Sequence, residues 1–414
     1  SQISAIALYP FPLEVGVLGA GVVELIGRAL TIVPSDSRDA GHLQARYGNA
    51  LGLLQGDYEG AQAAFQRCLE TAQRMGDASL EMGTLAAAAG VDWFHLHWQE
   101  AMEKSTKAIE LGKQLDEPVH QWVAHLWAVN SLTALGRTEE VRQRAEAILS
   151  VAESLRHRNE VALAYALNGR ISHLTGDWEA AREFVDSGLA LSPRHTQALA
   201  VRIIVEYDSG NNSQGEEYLE QLIESVRSTA PGPNLPRAYL SQVVPTVAHI
   251  TGTPPVRENM DSDSRAILSS PSATPFAAML ARLGLAMTAV TRDDRDLASE
   301  QYAALMALQG TAFVTSIDRL LGLLARTMGR MEDAMAHFDD ALAFCQQAGY
   351  RPETAWTSFH YAETILGGAD GEGPLQEGRP KAMALLDDAL AISRELSMLP
   401  LLERVLARRE LLSA

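Results

Sequence analysis

A constant 40-residue step runs through the first half of this 414-residue chain and restricts its fold more than any other feature. Four segments align: Gly56-Asp57-Tyr58-Glu59-Gly60-Ala61, Leu96-His97-Trp98-Gln99-Glu100-Ala101, Gly136-Arg137-Thr138-Glu139-Glu140-Val141 and Gly176-Asp177-Trp178-Glu179-Ala180-Ala181. Their last residues fall at 61, 101, 141 and 181. A second set of turns, Met75-Gly76-Asp77, Leu115-Asp116-Glu117-Pro118 and Leu155-Arg156-His157-Arg158, keeps the same step. Two independent features sharing one period of this length indicate a stack of like supersecondary units.

Each unit has a physical meaning. Gly56, Gly136 and Gly176 stand where one helix stops and the next begins at a steep angle, a turn that favours glycine. Two residues later, Tyr58, Trp98 and Trp178 supply a ring that can lie across the inner face of the hairpin. A small residue follows where the helices cross, and small or apolar residues recur four and seven positions on. Ala61, Phe65 and Cys68 show this spacing, as do Ala101, Ser105 and Ala108. It draws one stripe along a helix that faces its neighbour. Ala, Leu and Glu dominate and β-branched runs are scarce, so helix is favoured throughout.

These residues resemble the tetratricopeptide repeat, whose second helix carries an Ala-x3-Phe-x2-Ala pattern. The fourth unit ends like the short form of that repeat, with Ser192-Pro193 and Gln197-Ala198-Leu199-Ala200, and Gly210-Asn211-Asn212 comes 34 residues after Gly176. The resemblance implies an all-α fold: a tetratricopeptide-like α-solenoid, a right-handed superhelix of antiparallel helical hairpins. More specifically, three features look like the C-terminal sensor region of large bacterial signal-transduction ATPases. They are the 40-residue units, Tyr47-Gly48 ahead of the first turn, and the run at 389–398. That group includes LuxR-type regulators related to the maltose-operon activator, and cyclase–ATPase fusions. In such proteins an ATPase module and an effector domain precede the repeats. The present sequence begins without Met, as a piece of a longer chain would. The resemblance implies a cytoplasmic, non-catalytic scaffold for signal transduction or transcription regulation that binds a protein or effector. The alternative is a freestanding assembly scaffold without ligand switching. Repeat motifs specify fold strongly and ligand hardly at all.

Regularity varies along the chain. Residues 1–40 read as an N-terminal helical cap and 41–230 as the regular repeats. Residues 231–275 read as a degenerate hairpin and loop, rich in Pro, Ser, Asp and Thr from 251 onward and expected to be the weakest link. Further repeats and a C-terminal cap helix fill 276–414, clearest at Gly329-Arg330-Met331-Glu332-Asp333-Ala334. A Gly-rich connector is expected at 367–380, and Glu403, Arg404, Arg408, Arg409 and Glu410 suit the solvent face of the closing helix.

Catalytic and cofactor constellations are missing from the sequence. Val15-Gly16-Val17-Leu18-Gly19-Ala20-Gly21 begins like a dinucleotide-binding turn, but Glu24 takes the third glycine position and no alternating β/α pattern follows. An apolar helix packed on the first hairpin is expected there instead. No Lys-Ser/Thr follows the glycines at 367–378, and no His-Glu-x-x-His, Cys-x-x-Cys or serine elbow occurs. His95, His97, His120 and His125 lack metal-ligand spacing. No cofactor and no metal are expected. Cys68 and Cys345 are the only cysteines and lie far apart, which fits a reducing compartment. A net charge of −18 argues against direct nucleic-acid binding. The longest apolar stretch, at 13–33, is interrupted by Glu24 and Arg28, so no membrane span is expected.

One constellation points to binding. With Ala61 and its equivalents as the crossing position, the groove-lining places on the first helices form three series. They are Arg46, Ala86, Leu126 and Ala166; Ala50, Gly90, Asn130 and Arg170; and Leu53, Trp93, Thr133 and His173. Arg46, Trp93, Asn130, Arg170 and His173 are therefore expected on one open concave surface. Basic groups there, in an acidic protein, suit a protein or peptide segment or a small anionic effector.

Overall fold

A computed structural model describes residues 21–229, 232–253, 260–367 and 375–413. The dinucleotide-like stretch before Gly21, residues 254–259 of the expected weak segment, and 368–374 of the Gly-rich connector lie outside the described residues. Helix α1 (Gly21–Leu30) precedes the first hairpin, α2 (Arg38–Ala50) with α3 (Tyr58–Met75). Next come α4 (Ala78–Phe94) with α5 (Trp98–Gly112), α6 (Pro118–Ala134) with α7 (Thr138–Ser154), and α8 (Arg158–Thr175) with α9 (Trp178–Leu191). The middle hairpins are α10 (Thr196–Asp208) with α11 (Asn212–Arg227), α12 (Leu235–Thr251) with α13 (Met260–Ser269), and α14 (Pro275–Arg292) with α15 (Arg295–Leu305). The last are α16 (Ile317–Thr327) with α17 (Met331–Ala348), then α18 (Arg351–Gly367) with α19 (Leu375–Glu395), and the single α20 (Leu399–Ser413). Among the described residues there is no strand, only an isolated bridge between Ala312 and Ser316.

The Gly-Asp pairs do two jobs at each turn. Gly56, Gly76 and Gly176 take left-handed φ of 69°, 64° and 88°, ending one helix. Asp57, Asp77 and Asp177 then cap the next by accepting the N–H of Gly60, Leu80 and Ala180. Ala61, Ala101 and Ala181 are fully buried at the crossings. A Cβ at Gly48 would come 2.9 Å from the Ala61 carbonyl, so the helices already touch backbone to backbone there.

First and second helices differ in burial. In α3 the buried residues form one stripe, whereas α4 is buried on every side. A helix apolar all round needs cover on all faces. The first helices α6 and α10 are buried in the same way, and part of their cover comes from the far end of the chain, because the solenoid folds back on itself. Ala312 N–H donates to Ala134 O at 2.9 Å, and Tyr350 Oη donates to Thr133 O at 2.6 Å. Thr138 Oγ1 donates to Ala348 O, Trp178 Nε1 to Leu396 O, and Trp356 Nε1 to Asp208 Oδ1. The turn glycines Gly136, Gly176 and Gly210 rest on Phe344, Leu396 and Leu399 in turn.

Arg404 corrects one expectation. Rather than facing solvent, its Nη2 donates to the His249 and Ile250 carbonyls at 2.8 and 2.9 Å. It thus caps the C-terminal end of α12, where free carbonyls and the helix dipole attract a cation. Arg408 is likewise half-buried, pairing with Glu363 at 2.6 Å.

Candidate binding groove

Stacking of the first helices turns the repeat step into contact. Asn130 and Arg170 stand one repeat apart in sequence, and Arg170 Nη2 donates to Asn130 Oδ1 at 2.8 Å. Trp93 and Trp127, on adjacent first helices, have ring centroids 5.2 Å apart. The concave side formed in this way holds a cavity of about 710 Å³ lined from α2, α4, α6 and the starts of α8, α10, α12 and α14. Its size suits a side-chain-bearing segment or a small ligand.

The floor is aromatic. Trp93, Phe94, Trp127, Tyr239 and Phe276 line it, all at least nine-tenths buried. Trp93 lies 4.3 Å from Phe276, and Phe94 meets Trp127 edge-on at 5.5 Å. Aromatic clusters of this kind offer large rigid contact area.

The rim is polar and mostly basic in residue type: His42, Arg46, His120, Arg194 and His195, with Glu160 opposite. The histidines add no charge at neutral pH. Burial, then nearby Arg38, holds His42 below its ordinary value, and burial likewise lowers His120. Burial alone pushes His195 down to about 4, and its Nδ1 caps α10 by accepting the Ala198 N–H. Glu160 accepts the Trp122 indole N–H at 2.6 Å. Arg46 and Arg194 therefore supply the positive charge at the mouth.

Of the five residues expected on an open surface, Arg46, Trp93 and Asn130 line this cavity. Arg170 and His173 do not face it openly, because the fold-back covers them. Arg170 is 3% exposed, with the Phe313 ring 4.9 Å from its guanidinium. His173 is 5% exposed; it lies 3.3 Å from Asp208 Oδ2 and against the Trp178 ring. Both border a second, small cavity of about 20 Å³ with Gln197, Tyr239, Gln242, Phe313 and Val314. Repeat arithmetic places helix faces but knows nothing of which distant segment lies over them.

Phe94, Trp127, Arg194, Tyr239 and Phe276 also line the groove but lie outside the three series set by the repeat step. Trp127 had a signal, being adjacent to Leu126 of the first series. Tyr239 and Phe276 come from the region where periodicity lapses, so no register could point to them.

Metal and nucleophile chemistry are poorly served. Among the described residues one group, Asp318, His337 and Asp340, brings three ligand atoms within 4.8 Å of one another. All three residues already have protein partners: His337 has Tyr302 Oη at 2.9 Å on Nε2 and Asp318 Oδ1 at 3.4 Å on Nδ1, Asp318 Oδ2 accepts the Gly310 N–H at 2.7 Å, and Asp340 Oδ2 accepts from Gln309 at 3.3 Å. His95 Nε2 contacts Gly52 O at 2.9 Å, and His97 stacks on Tyr58. Cys68 and Cys345 are buried and free, with thiols pushed up by burial, the reverse of a reactive cysteine. No described helix is long and apolar enough to cross a membrane.

No protein-family model and no curated protein matches the chain. Solved structures do match. The APC/C hetero-tetramer Cut9-Hcn1 aligns over 93% of this chain and 67% of its own, at 15% identity and TM-score 0.54. Rap protein complexed with Competence and Sporulation Factor aligns over 84% of each chain, at 13% identity and TM-score 0.48. The P58(IPK) TPR domain aligns over 89% of this chain and 98% of its own, at 15% identity and TM-score 0.23. At 15% identity the likeness to Cut9-Hcn1 is one of architecture: this chain is a tetratricopeptide-like α-solenoid.

Proposed function

We propose that the chain is a non-catalytic binding scaffold whose groove takes a peptide segment bearing an apolar side chain and an acidic group. The observation that carries this reading is a 710 Å³ concavity with an aromatic floor and Arg46 and Arg194 at its mouth, in a chain of net charge −18. Extended concave faces built by neighbouring repeats are how solenoids recognise partners. The cations select for acidic segments, while the rings supply the contact area. In cellular terms, we place the chain as the sensor or interaction region of a signalling or transcription-regulating ATPase of the kind its repeats resemble. Such a role is cytoplasmic and needs no cofactor.

The test is a displayed peptide library panned against the wild type, Arg46→Glu and Ala87→Trp. Ala87 is partly exposed and lines the groove, so a Trp there fills it. Acidic peptides with an apolar residue should be retained by the wild type and lost by both variants. Arg46→Ala should weaken a selected peptide by about 1–3 kcal/mol, as loss of a charged hydrogen bond does. Peptides that bind all forms alike would move the site elsewhere.

A further inference from the structure

Arg170 is an anomaly among the buried cations of this molecule. Arg319 and Arg202 are buried to a similar degree, and each has its counter-charge. Arg319 Nε and Nη2 each lie 2.9 Å from Glu353, and Arg202 pairs with Asp186 and Glu206. Arg170 is paired with no carboxylate among the described residues. Only Nη2 has a hydrogen-bond partner, Asn130, while Nε and Nη1 have none. The Asp208 carboxylate is taken up by His173 and Trp356. A buried guanidinium left without an anion is strongly destabilising. Such a group is retained where something else brings the charge.

The surroundings agree. Beside Arg170, the cavity of about 20 Å³ is bordered by Gln197 and Gln242, whose Nε2 and Oε1 respectively also lack partners. Gln197 and Tyr239 line both this cavity and the large groove, so those two side chains form the wall between them. Phe313 covers the guanidinium and meets Phe276 of the groove floor edge-on at 5.1 Å. It is carried by the segment between Gly310 and Ser316. That segment is pinned at its ends, with Gly310 N–H to Asp318 and Ser316 N–H to Glu353, and in its middle by Ala312 N–H to Ala134 O.

We propose that Arg170, with Asn130 and Gln197, is an anion subsite at the inner end of the groove, filled by a carboxylate of the bound segment when Phe313 withdraws. This rests on the peptide reading of the groove. A space of about 20 Å³ holds one water, and a carboxylate is larger, so Phe313 must move for the ligand to reach the guanidinium. A carboxylate then meets one edge of the guanidinium, taking Nε–H or Nη1–H, which now have no partner, together with the Nη2 N–H on that edge that is not given to Asn130, in the planar geometry that suits both. The same donors could hold a free small anion, and the experiment separates the two sources.

Thermal unfolding is followed in sodium acetate and in sodium chloride for the wild type, Phe313→Ala, Arg170→Met and the double variant. General salt effects cancel between forms that differ only at Arg170. Acetate should stabilise Phe313→Ala in a saturable way, by mass action on the folded state. The double variant should lose that response, with apparent affinity for acetate weakened about tenfold or more. Saturable stabilisation of the wild type by chloride, lost in Arg170→Met, would assign the subsite to a free halide. Identical responses of all four forms to both salts would overturn the proposal. The comparison of Phe313→Ala with the wild type does not depend on the folding of Arg170→Met and stands as a second arm: no gain in acetate response on removing the ring also counts against the proposal. Library peptides whose affinity is unchanged in Arg170→Met would sink this subsite and leave the groove reading intact.

Discussion

At Arg156 the chain holds a side chain where the equivalent turn one repeat-pair earlier holds Gly76. The backbone is left-handed at both, with φ of 53° and 64°. A non-glycine residue there costs roughly 1–2 kcal/mol by contact of Cβ with the carbonyl. Arg156 is exposed and has no packing to lose. Replacing it by Gly relieves the strain but adds freedom to the unfolded chain, so Arg156→Gly should stabilise by about 0.5–1 kcal/mol net. Chemical denaturation reads this directly, and an unchanged or lower midpoint would contradict it. Leu96, with φ of 68°, stands in the same kind of strain but is packed against the core, so its exchange has no clean sign. The same local logic explains what was legible of the groove. Arg46, Trp93 and Asn130 could be found from sequence because a repeat step fixes which face of a first helix each occupies. The same step gives Arg170 and His173 a helix face but not their exposure, because the small cavity they border is covered by Phe313, 140 or more residues away along the chain.

Within elements, the degenerate hairpin shows how one irregular residue sets a packing distance. Pro245 lies inside α12 and has no N–H to give the Ser241 carbonyl four residues back. That carbonyl instead leans toward α14, where a Cβ built on Gly284 would fall 2.0 Å from it. The two helices therefore approach backbone to backbone, a contact open only to glycine. Gly284→Ala should destabilise by about 3 kcal/mol or more, at the severe end of overpacking because the obstacle is main chain and cannot swing aside. Gly27 in α1 is the control. A Cβ there would meet Tyr47 at 3.7 Å, an ordinary contact, so Gly27→Ala should be neutral or stabilise by about 0.5–1 kcal/mol. Equal effects from the two substitutions would mean that α12 and α14 are not so close. Periodicity in the sequence lapses in this stretch because the contact is made by a proline and a glycine. Neither carries the apolar stripe by which a helix face is read.

The whole molecule is held by contacts no repeat pattern announces: Tyr350 reaches Thr133, Trp178 reaches Leu396, and Arg404 reaches the end of α12, each across more than 150 residues. A solenoid read from its units is an open spiral, because each unit is specified only against its neighbour. Fold-back depends on summed curvature, which small changes at every turn decide. At its centre lie two histidines, His249 on α12 and His360 on α18, with Nε2 atoms 3.1 Å apart and Trp356 stacked on His360. His360 is buried, His249 half-buried, and both are uncharged: desolvation, then Arg319 and Arg404, push His249 down to about 3, and burial, then His249 and the same cations with Arg326, lower His360 well below its ordinary value. Unfolded, each would titrate near about 6.5. Between those values the open chain binds protons that the closed one cannot, so stability rises with pH there. The stabilisation is complete above about pH 6.5 and is lost progressively as pH falls toward the folded values. Because the pair bridges the two ends of the fold-back, acid should loosen that junction before the local hairpins melt. Hydrogen exchange at pH 7 and pH 5 should show protection falling first in α12 and α18, with α3 and α5 unaffected. A His249→Gln, His360→Gln variant keeps hydrogen-bonding groups there but cannot titrate, and its exchange at the junction should change less with pH. The same pH response in variant and wild type would mean that other groups, such as His195 at the groove or the surface carboxylates, carry the acid sensitivity.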